Sequence, residues 1–216
     1  GVEYIFRRPQ DKQRALEIVE NINNRMVDAT PTFSFRTSTH VHINVLDLPF
    51  EKLKTFLYTL YLVEPCLLQF SGPSRTGNRF CLGLIDAEFQ VLKLAELFNQ
   101  RTEEEFFRFG RTTVSPDEYK YSAINLAPMF SQGSVEVRTL YGTLNPTVID
   151  QWLTAFDSIF TFIEEFDKWT EVESYVINEG FSNLITKLFS HNEEAFCGIT
   201  TYNELSEQIK TLIWLR

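Results

Sequence analysis

Several features are scarce in this 216-residue sequence, and each scarcity closes off a class of protein. There are three cysteines, Cys66, Cys81 and Cys197, an odd number at wide spacing. That excludes a disulfide framework, and no C-x-x-C pair supplies a zinc signature. Buried thiols in a reducing, cytoplasmic compartment are the expectation. No apolar run reaches the roughly 18 residues that a membrane span needs. The longest, Phe56 to Val63, is short and contains two tyrosines. No signal peptide, internal repeat or low-complexity tract is visible. Basic residues are outnumbered, 20 Lys and Arg against 29 Asp and Glu, for a formal charge of -9. This argues against a duplex-binding surface, which needs clustered cations, but leaves room for a small basic site in an acidic protein.

What remains is ordinary globular composition, 44% hydrophobic and 23% charged, enough for one domain or at most two small ones. The chain opens on Gly1 rather than Met, directly into a strand-like run, Val2-Glu3-Tyr4-Ile5-Phe6, and reads as a piece of something longer. Asp11 is placed to cap a helix carrying Ala15, Leu16, Ile18, Val19, Ile22 and Met26 at helical spacing. Thr30-Pro31-Thr32 is a breaker. Phe33 to Leu46 alternates, with Val41, Ile43 and Val45 on one face and His40, His42 and Asn44 on the other. Pro49 suits the first position of a helix with the stripe Leu53, Phe56, Leu57, Leu60 and Tyr61. Residues 71–79 are loop-like, and 86–100 and 102–109 are helical by pattern. Tyr119 to Leu126 and Ser134 to Tyr141 read as a hairpin with a long loop.

Asn145-Pro146 then starts what reads as the longest helix. From Glu164 to Glu207 there are ten acids and two lysines, the pattern of a solvated helical face. Thr201-x-x-Glu204 has capping-box spacing for a last helix over 202–214. The class is α+β, a mostly antiparallel sheet with helices packed on it and a helical C-terminal part. The 20 phenylalanines, at helical and strand spacing, are core.

Four sets of polar residues stand where a core pattern does not ask for them. His40, His42 and Asn44 share one strand face, with alternate residues about 6.6 Å apart. Neutral imidazole ligates divalent metal and donates to anionic oxygen; the plain alternative is a pair of surface histidines. Glu136 and Arg138 share a face opposite Val135 and Val137, a salt bridge in the plain reading. The functional reading is a metal carboxylate beside a fork for phosphate or carboxylate. Arg75 and Arg79 sit in a Gly/Pro/Ser loop of the kind that carries binding residues. Lys120 and Asn125 stand at the start and further along another strand. A phosphoesterase built on two H-x-[ST] strands lacks its second motif, since His191 lies in Ser-His-Asn-Glu. No G-x-S-x-G elbow or G-x-G-x-x-G fingerprint is present.

In order, Thr-His-Val-His-Ile-Asn (39–44), an arginine-bearing loop, Lys-Tyr-x-x-Ile-Asn (120–125) and Gly-Ser-Val-Glu-Val-Arg-Thr-Leu-Tyr-Gly-Thr (133–143) resemble the phage and bacterial amidoligase family. That family belongs to the carboxylate–amine ligase superfamily, with a catalytic sheet of the glutamine synthetase and glutamate–cysteine ligase type. The opening Gly-Val-Glu-Tyr-Ile-Phe-Arg-Arg-Pro is similar to the family's second acidic strand. The resemblance spans roughly 1–155. It implies a catalytic sheet domain over 1–165, lacking its first strand, and a helical acidic extension over 166–216.

The implied activity is ATP-dependent amide formation through an acyl phosphate. By motif, His40 and Glu136 would bind one divalent metal, Mg2+ or Mn2+, and Glu3 is a candidate ligand for another. His42 would touch the nucleotide phosphates, with Lys120 beside it. Arg138, with Arg75 or Arg79, would hold the transferring phosphoryl group or the substrate carboxylate. Asn44 and Asn125 would line the substrate site. Small-molecule or peptide carboxylates and amines are the implied partners, with oligomer formation open and no nucleic acid or membrane expected. The compartment is the cytoplasm, a host's for a phage-encoded protein. The family's first strand carries a Glu-x-Glu pair, and none lies upstream of Glu3. Either that strand was left off this chain, the favoured reading, or the protein is an inactive relative serving a structural or interaction role.

Overall fold

The computed structural model describes residues 3–26 and 32–213. It is α+β and mostly helical, with one small antiparallel sheet. Helix α1, Lys12–Arg25, begins where Asp11 accepts from the Arg14 N–H at 2.8 Å. Strand β1 is Val41–Asn44, followed by α2, Phe50–Leu62, and α3, Glu64–Ser71. A 3-10 turn, Leu84–Asp86, leads into α4, Glu88–Phe98, α5, Glu103–Thr113, and the single turn α6, Pro116–Tyr119. Then come β2, Ile124–Asn125, α7, Ala127–Gln132, and β3, Ser134–Val137. Four helices finish the chain: α8, Pro146–Ile163; α9, Trp169–Phe189; α10, Glu193–Phe196; and α11, Ile199–Ile213.

The sheet order is β1-β3-β2, both pairings antiparallel. The hairpin expected between the second and third segments is present, its loop occupied by α7. Helix α2 is the spine. Every residue from Leu53 to Leu62 is buried, because neighbours pack around the helix on all sides and its polar members, Lys54, Thr55 and Thr59, bond to backbone carbonyls. Helices α8, α9 and α11 pack around α2, and α1 packs on α8. The two lysines of α2 end on backbone rather than in water. Lys52 Nζ donates to the carbonyls of Ile163, Glu164 and Phe166 at 2.9, 3.1 and 2.7 Å, closing the C-terminal end of α8. Lys54 Nζ donates to Gln100 O at 3.0 Å.

Several expectations are corrected. Val2 lies outside the described residues, and Glu3 to Phe6 form no strand and are exposed. Thr30 and Pro31, from the expected breaker, also lie outside. The long strand expected over 33–46 shortens to four residues. Ser34 and Thr37 make a local turn instead, Thr37 Oγ1 accepting from Ser34 N at 2.9 Å and donating to Ser34 O at 2.6 Å. The strand expected over 119–126 begins only at Ile124, since Ser115-Pro116 with two acids starts a helical turn first. The final helix starts at Ile199, where Thr201 Oγ1 accepts from Gly198 N at 3.0 Å rather than forming the 201–204 box; its expected last residue, Trp214, lies outside. Helix α8 has the expected start, Asn145 capping Thr147 N at 3.0 Å ahead of Pro146, and its 18 residues are the longest unbroken helical run among the described residues, the 21 of α9 being divided by a kink. Helix α9 is interrupted by Gly180 at φ +82°.

Residues from α9 and α11, among them Val172, Leu184, Phe189, Leu205 and Leu212, belong to the same buried cluster as the sheet residues Ile43 and Val135. The acidic face is mainly solvated, with Glu173 a buried exception. A second buried acid, Glu64, joins three elements behind the sheet. Its Oε2 accepts from Leu84 N at 2.7 Å and from Gln208 Nε2 of α11 at 3.4 Å. Gln208 Nε2 also donates to Tyr61 O at 2.8 Å. Burial raises the Glu64 carboxyl to about 8 against the pull of those two donors, with Asp86 adding to the rise.

Folding therefore takes up a proton at Glu64 between its ordinary 4.5 and about 8, and stability falls as pH rises through that window. Glu64→Gln, which cannot ionise, should abolish most of that fall. The difference between the two proteins should be on the order of a few kcal/mol at pH 8.5 and small near pH 4.5. Urea denaturation across the range measures it; parallel pH profiles would contradict the assignment.

Candidate active site

Strand alternation brings the polar residues together on one face of the sheet. Glu136 stands at the centre of β3, with His42 of β1 and Asn125 of β2 as its direct cross-strand neighbours. His40 is two residues before His42, and Arg138 two after Glu136, so both reach the same place diagonally. Glu136 Oε1 lies 2.9 Å from His40 Nδ1, 3.4 Å from an Arg138 guanidinium nitrogen and 3.8 Å from His42 Nε2. Its Oε2 accepts from Asn125 Nδ2 at 2.7 Å.

Glu136 is only 7% exposed. Burial by itself would raise its carboxyl, but the His40 hydrogen bond, the Arg138 charge and Asn125 together bring it down to about 2. The group is a fixed anion at neutral pH. An ionised carboxylate only accepts, so His40 carries its proton on Nδ1 and its Nε2 is free to accept from the Ser38 hydroxyl, 2.5 Å away. His42 Nδ1 is held by Ser134 Oγ at 3.1 Å, leaving Nε2 on the side of Glu136. Ser38 and Ser134 were missed from sequence. Each stands two residues before a site residue on the same alternating face, and that parity is the signal which marks them.

Beyond the sheet, β1 and β3 pair again at Ser38 with Tyr141, but out of register with Val41 opposite Val137. Two residues of one chain, Thr39 and His40, face three of the other, Arg138, Thr139 and Leu140. This is a β-bulge, and bulges re-aim side chains next to sites. It leaves the carbonyls of Arg138 and Thr139 to be served from elsewhere, and Arg75 does this. Its guanidinium, on a residue 1% exposed, donates to Thr139 O at 3.1 Å and Arg138 O at 2.6 Å. The Cys81 thiol also faces Arg138 O, at 3.6 Å. Arg75 thus touches Arg138 through its backbone, not through the face that carries Glu136.

The other expected site residues are dispersed. Asn44 bonds Asp47 Oδ2 at 3.1 Å and accepts from Leu46 N, closing the turn after β1. Arg79 and Lys120 are exposed, each against an aromatic ring. Glu3 is exposed, and among the described residues no hydrogen bond or ion pair joins it to the cluster.

Among the described residues, no three or more His, Cys, Asp or Glu side chains are grouped so as to hold a metal ion. The donor set fits a metal in a narrower way. Glu136 is one hard, permanently ionised oxygen donor with an imidazole on each side. That suits a magnesium ion carried on phosphates, which needs few protein ligands, and does not suit a protein-built cage.

A sequence profile of the family described as "Putative amidoligase enzyme" matches residues 8–159. No curated protein and no solved structure matches the chain. Among the described residues no helix is long and apolar enough to cross a membrane.

Two outcomes follow from this geometry. Arg75→Met should strip the bulge carbonyls of their donor and cost about 2–4 kcal/mol by urea denaturation, with Arg75→Lys recovering less than half because it lacks the fork. The stability that Glu136 contributes is whole above its ordinary 4.5 and is lost as pH falls toward 2. Between pH 5 and pH 2 the wild type should therefore lose on the order of a few kcal/mol more than Glu136→Gln, read by urea denaturation at each pH. Equal acid sensitivity of the two proteins would refute it.

Proposed function

The chain belongs to the amidoligase family, and from that premise we propose that it is an ATP-dependent carboxylate–amine ligase acting through an acyl phosphate. The observation that supports this best is the convergence of His40, Asn125 and Arg138 on the ionised Glu136, with His42 directly opposite. The antiparallel arrangement of β1, β3 and β2 also supports reading the sheet as a small version of the glutamine synthetase type. The profile match ending at residue 159 supports 1–165 as the catalytic unit and 166–216 as its helical extension.

In this reading a substrate carboxylate oxygen attacks the γ-phosphorus and ADP leaves. An amine then attacks the acyl carbon, phosphate leaves, and the nitrogen gives up a proton. The protein's task in such a transfer is placement and charge neutralisation. The Arg138 guanidinium, whose buried Nε–H has no partner among the described residues, is the group that would face the oxyanion being transferred or displaced. His42, half-exposed and steadied by Ser134, offers its Nε2 side to phosphate oxygens. Glu136 is the residue that would hold a nucleotide-borne magnesium ion, which would neutralise phosphate charge, and His40, whose Nδ1 proton faces that carboxylate, would keep it oriented rather than ligate the ion itself. Asn125 keeps Glu136 aimed and stands ready to line the substrate side. Arg75 fixes the backbone from which Arg138 projects, so its contribution passes through Arg138.

The test is ADP and phosphate release that requires both a carboxylate and an amine, run over panels of amino acids, peptides and polyamines. Glu136→Gln should lower turnover by about a hundredfold or more while leaving the circular dichroism spectrum unchanged. Undiminished turnover in that variant would remove Glu136 from the mechanism.

A further inference from the structure

One surface of this acidic protein is cationic, and it lies just past the site. Arg36, Arg79 and Lys120 are all exposed, and among the described residues none of them makes an ion pair. They sit on a cluster of rings. The Arg36 guanidinium lies 5.8 Å from the Phe35 ring centre and 5.3 Å from that of Phe80. Arg79 lies 5.0 Å from Phe80, and Lys120 5.6 Å from Tyr121. Phe80 itself packs against Tyr121 at 5.2 Å and against Phe35 at 5.9 Å. Asn78 ties the two loops together, donating to Phe35 O at 2.8 Å.

The topology places this cluster relative to Glu136. Strands β1 and β2 both run antiparallel to β3, and Val41 and Ile124 both stand opposite Val137. Arg36 and Phe35 precede β1, and Lys120 and Tyr121 precede β2, so both segments lie beyond the same end of the sheet. Arg138 follows Val137 toward that end. Cations therefore continue outward from the site: Arg138 first, then Arg79, Arg36 and Lys120. The chemistry of the surface restricts its ligand. The rings are faced by cations, so they are poorly placed to stack bases as single-strand nucleic-acid sites do. Exposed and resting on rings, the guanidiniums keep planar forks that suit carboxylates.

We propose that the Phe35–Arg36, Arg79–Phe80 and Lys120–Tyr121 surface binds an acidic peptide, leading one of its carboxylates to Arg138. This rests on the ligase reading for the identity of the reacting end and names its substrate class, a polypeptide or oligopeptide bearing several carboxylates.

The experiment is equilibrium binding of fluorescein-labelled hexaglutamate, about 20 Å long when extended, by anisotropy at low salt. Binding to the wild type is expected, weakening with added salt as exposed ion pairs are screened. The triple variant Arg36→Glu, Arg79→Glu, Lys120→Glu should bind at least tenfold more weakly, with its melting temperature retained because all three side chains are exposed. Should the triple variant misfold, Arg36→Gln and Lys120→Gln singly should each weaken binding two- to fourfold. Binding that survives in the folded variants, absence of binding to the wild type, or an oligothymidylate of equal charge competing better than unlabelled hexaglutamate would each overturn the proposal. Glu136→Gln should still bind the peptide. Because binding needs no turnover, an inactive ligase leaves this result intact, and a working ligase with unaltered variants would sink the peptide surface alone.

Discussion

A carboxylate that is ionised and almost closed off from water sets the terms for the rest of the sheet. Burying such a charge is costly unless hydrogen bonds and opposite charge surround it. Glu136 meets that requirement from three directions at once: His40 from β1, Asn125 from β2, and Arg138 from its own strand. Each donor thereby acquires a fixed orientation. The His40 proton is assigned to Nδ1, the Asn125 amide is aimed, and Arg138 is drawn back over the strand. The site is the solvation shell of one anion, built from protein, and replacing that anion removes the reason for the arrangement as well as a charge.

The cost of holding Arg138 in place is carried away from the face of the sheet that bears Glu136. The bulge after Val137 turns the chain so that Arg138 reaches Glu136, and in doing so frees two carbonyls. Arg75, buried and without an acidic partner among the described residues, is stabilised by those carbonyls and stabilises them in return. Its position shows why a loop arginine need not touch substrate to matter. Behind it the Cys81 segment leads to Leu84, whose N–H is held by Glu64, and Glu64 is in turn joined to α11 through Gln208. The C-terminal helices and the strand that carries Glu136 are thus parts of one packed and hydrogen-bonded body.

Sequence reading placed the polar faces better than it bounded the elements. Alternation over 40–45 and 134–138 put His40, His42, Glu136 and Arg138 on common faces, and register then brought the faces together. Alternation says nothing about length, however, and the strand expected over 33–46 is four residues long because Ser34 and Thr37 satisfy each other locally. The same holds near Lys120, where Pro116 with Asp117 and Glu118 favours a helical turn over strand. Arg75 and Arg79 were equivalent in the sequence. What separates them is the bulge, a two-against-three mismatch between segments a hundred residues apart, and no local pattern records it. The spine helix was legible only as one stripe, since its other faces carry Lys54, Thr55 and Thr59, polar residues that are buried by satisfying backbone carbonyls.

The distribution of charge follows from the same division of labour. The formal charge is -9, and much of the acid lies on the outer faces of the helices between 164 and 207, where ionisation costs little. Away from those helices Arg36, Arg79 and Lys120 are gathered beyond one end of the sheet and supported by rings. An acidic ligand approaching such a body is repelled by the acidic helices and attracted by this ring-supported group, so the overall negative charge sharpens the contrast between the two. Net charge and local charge then act together: the first keeps polyanions off the helices, and the second draws them to the end of the strand that carries Glu136 and Arg138.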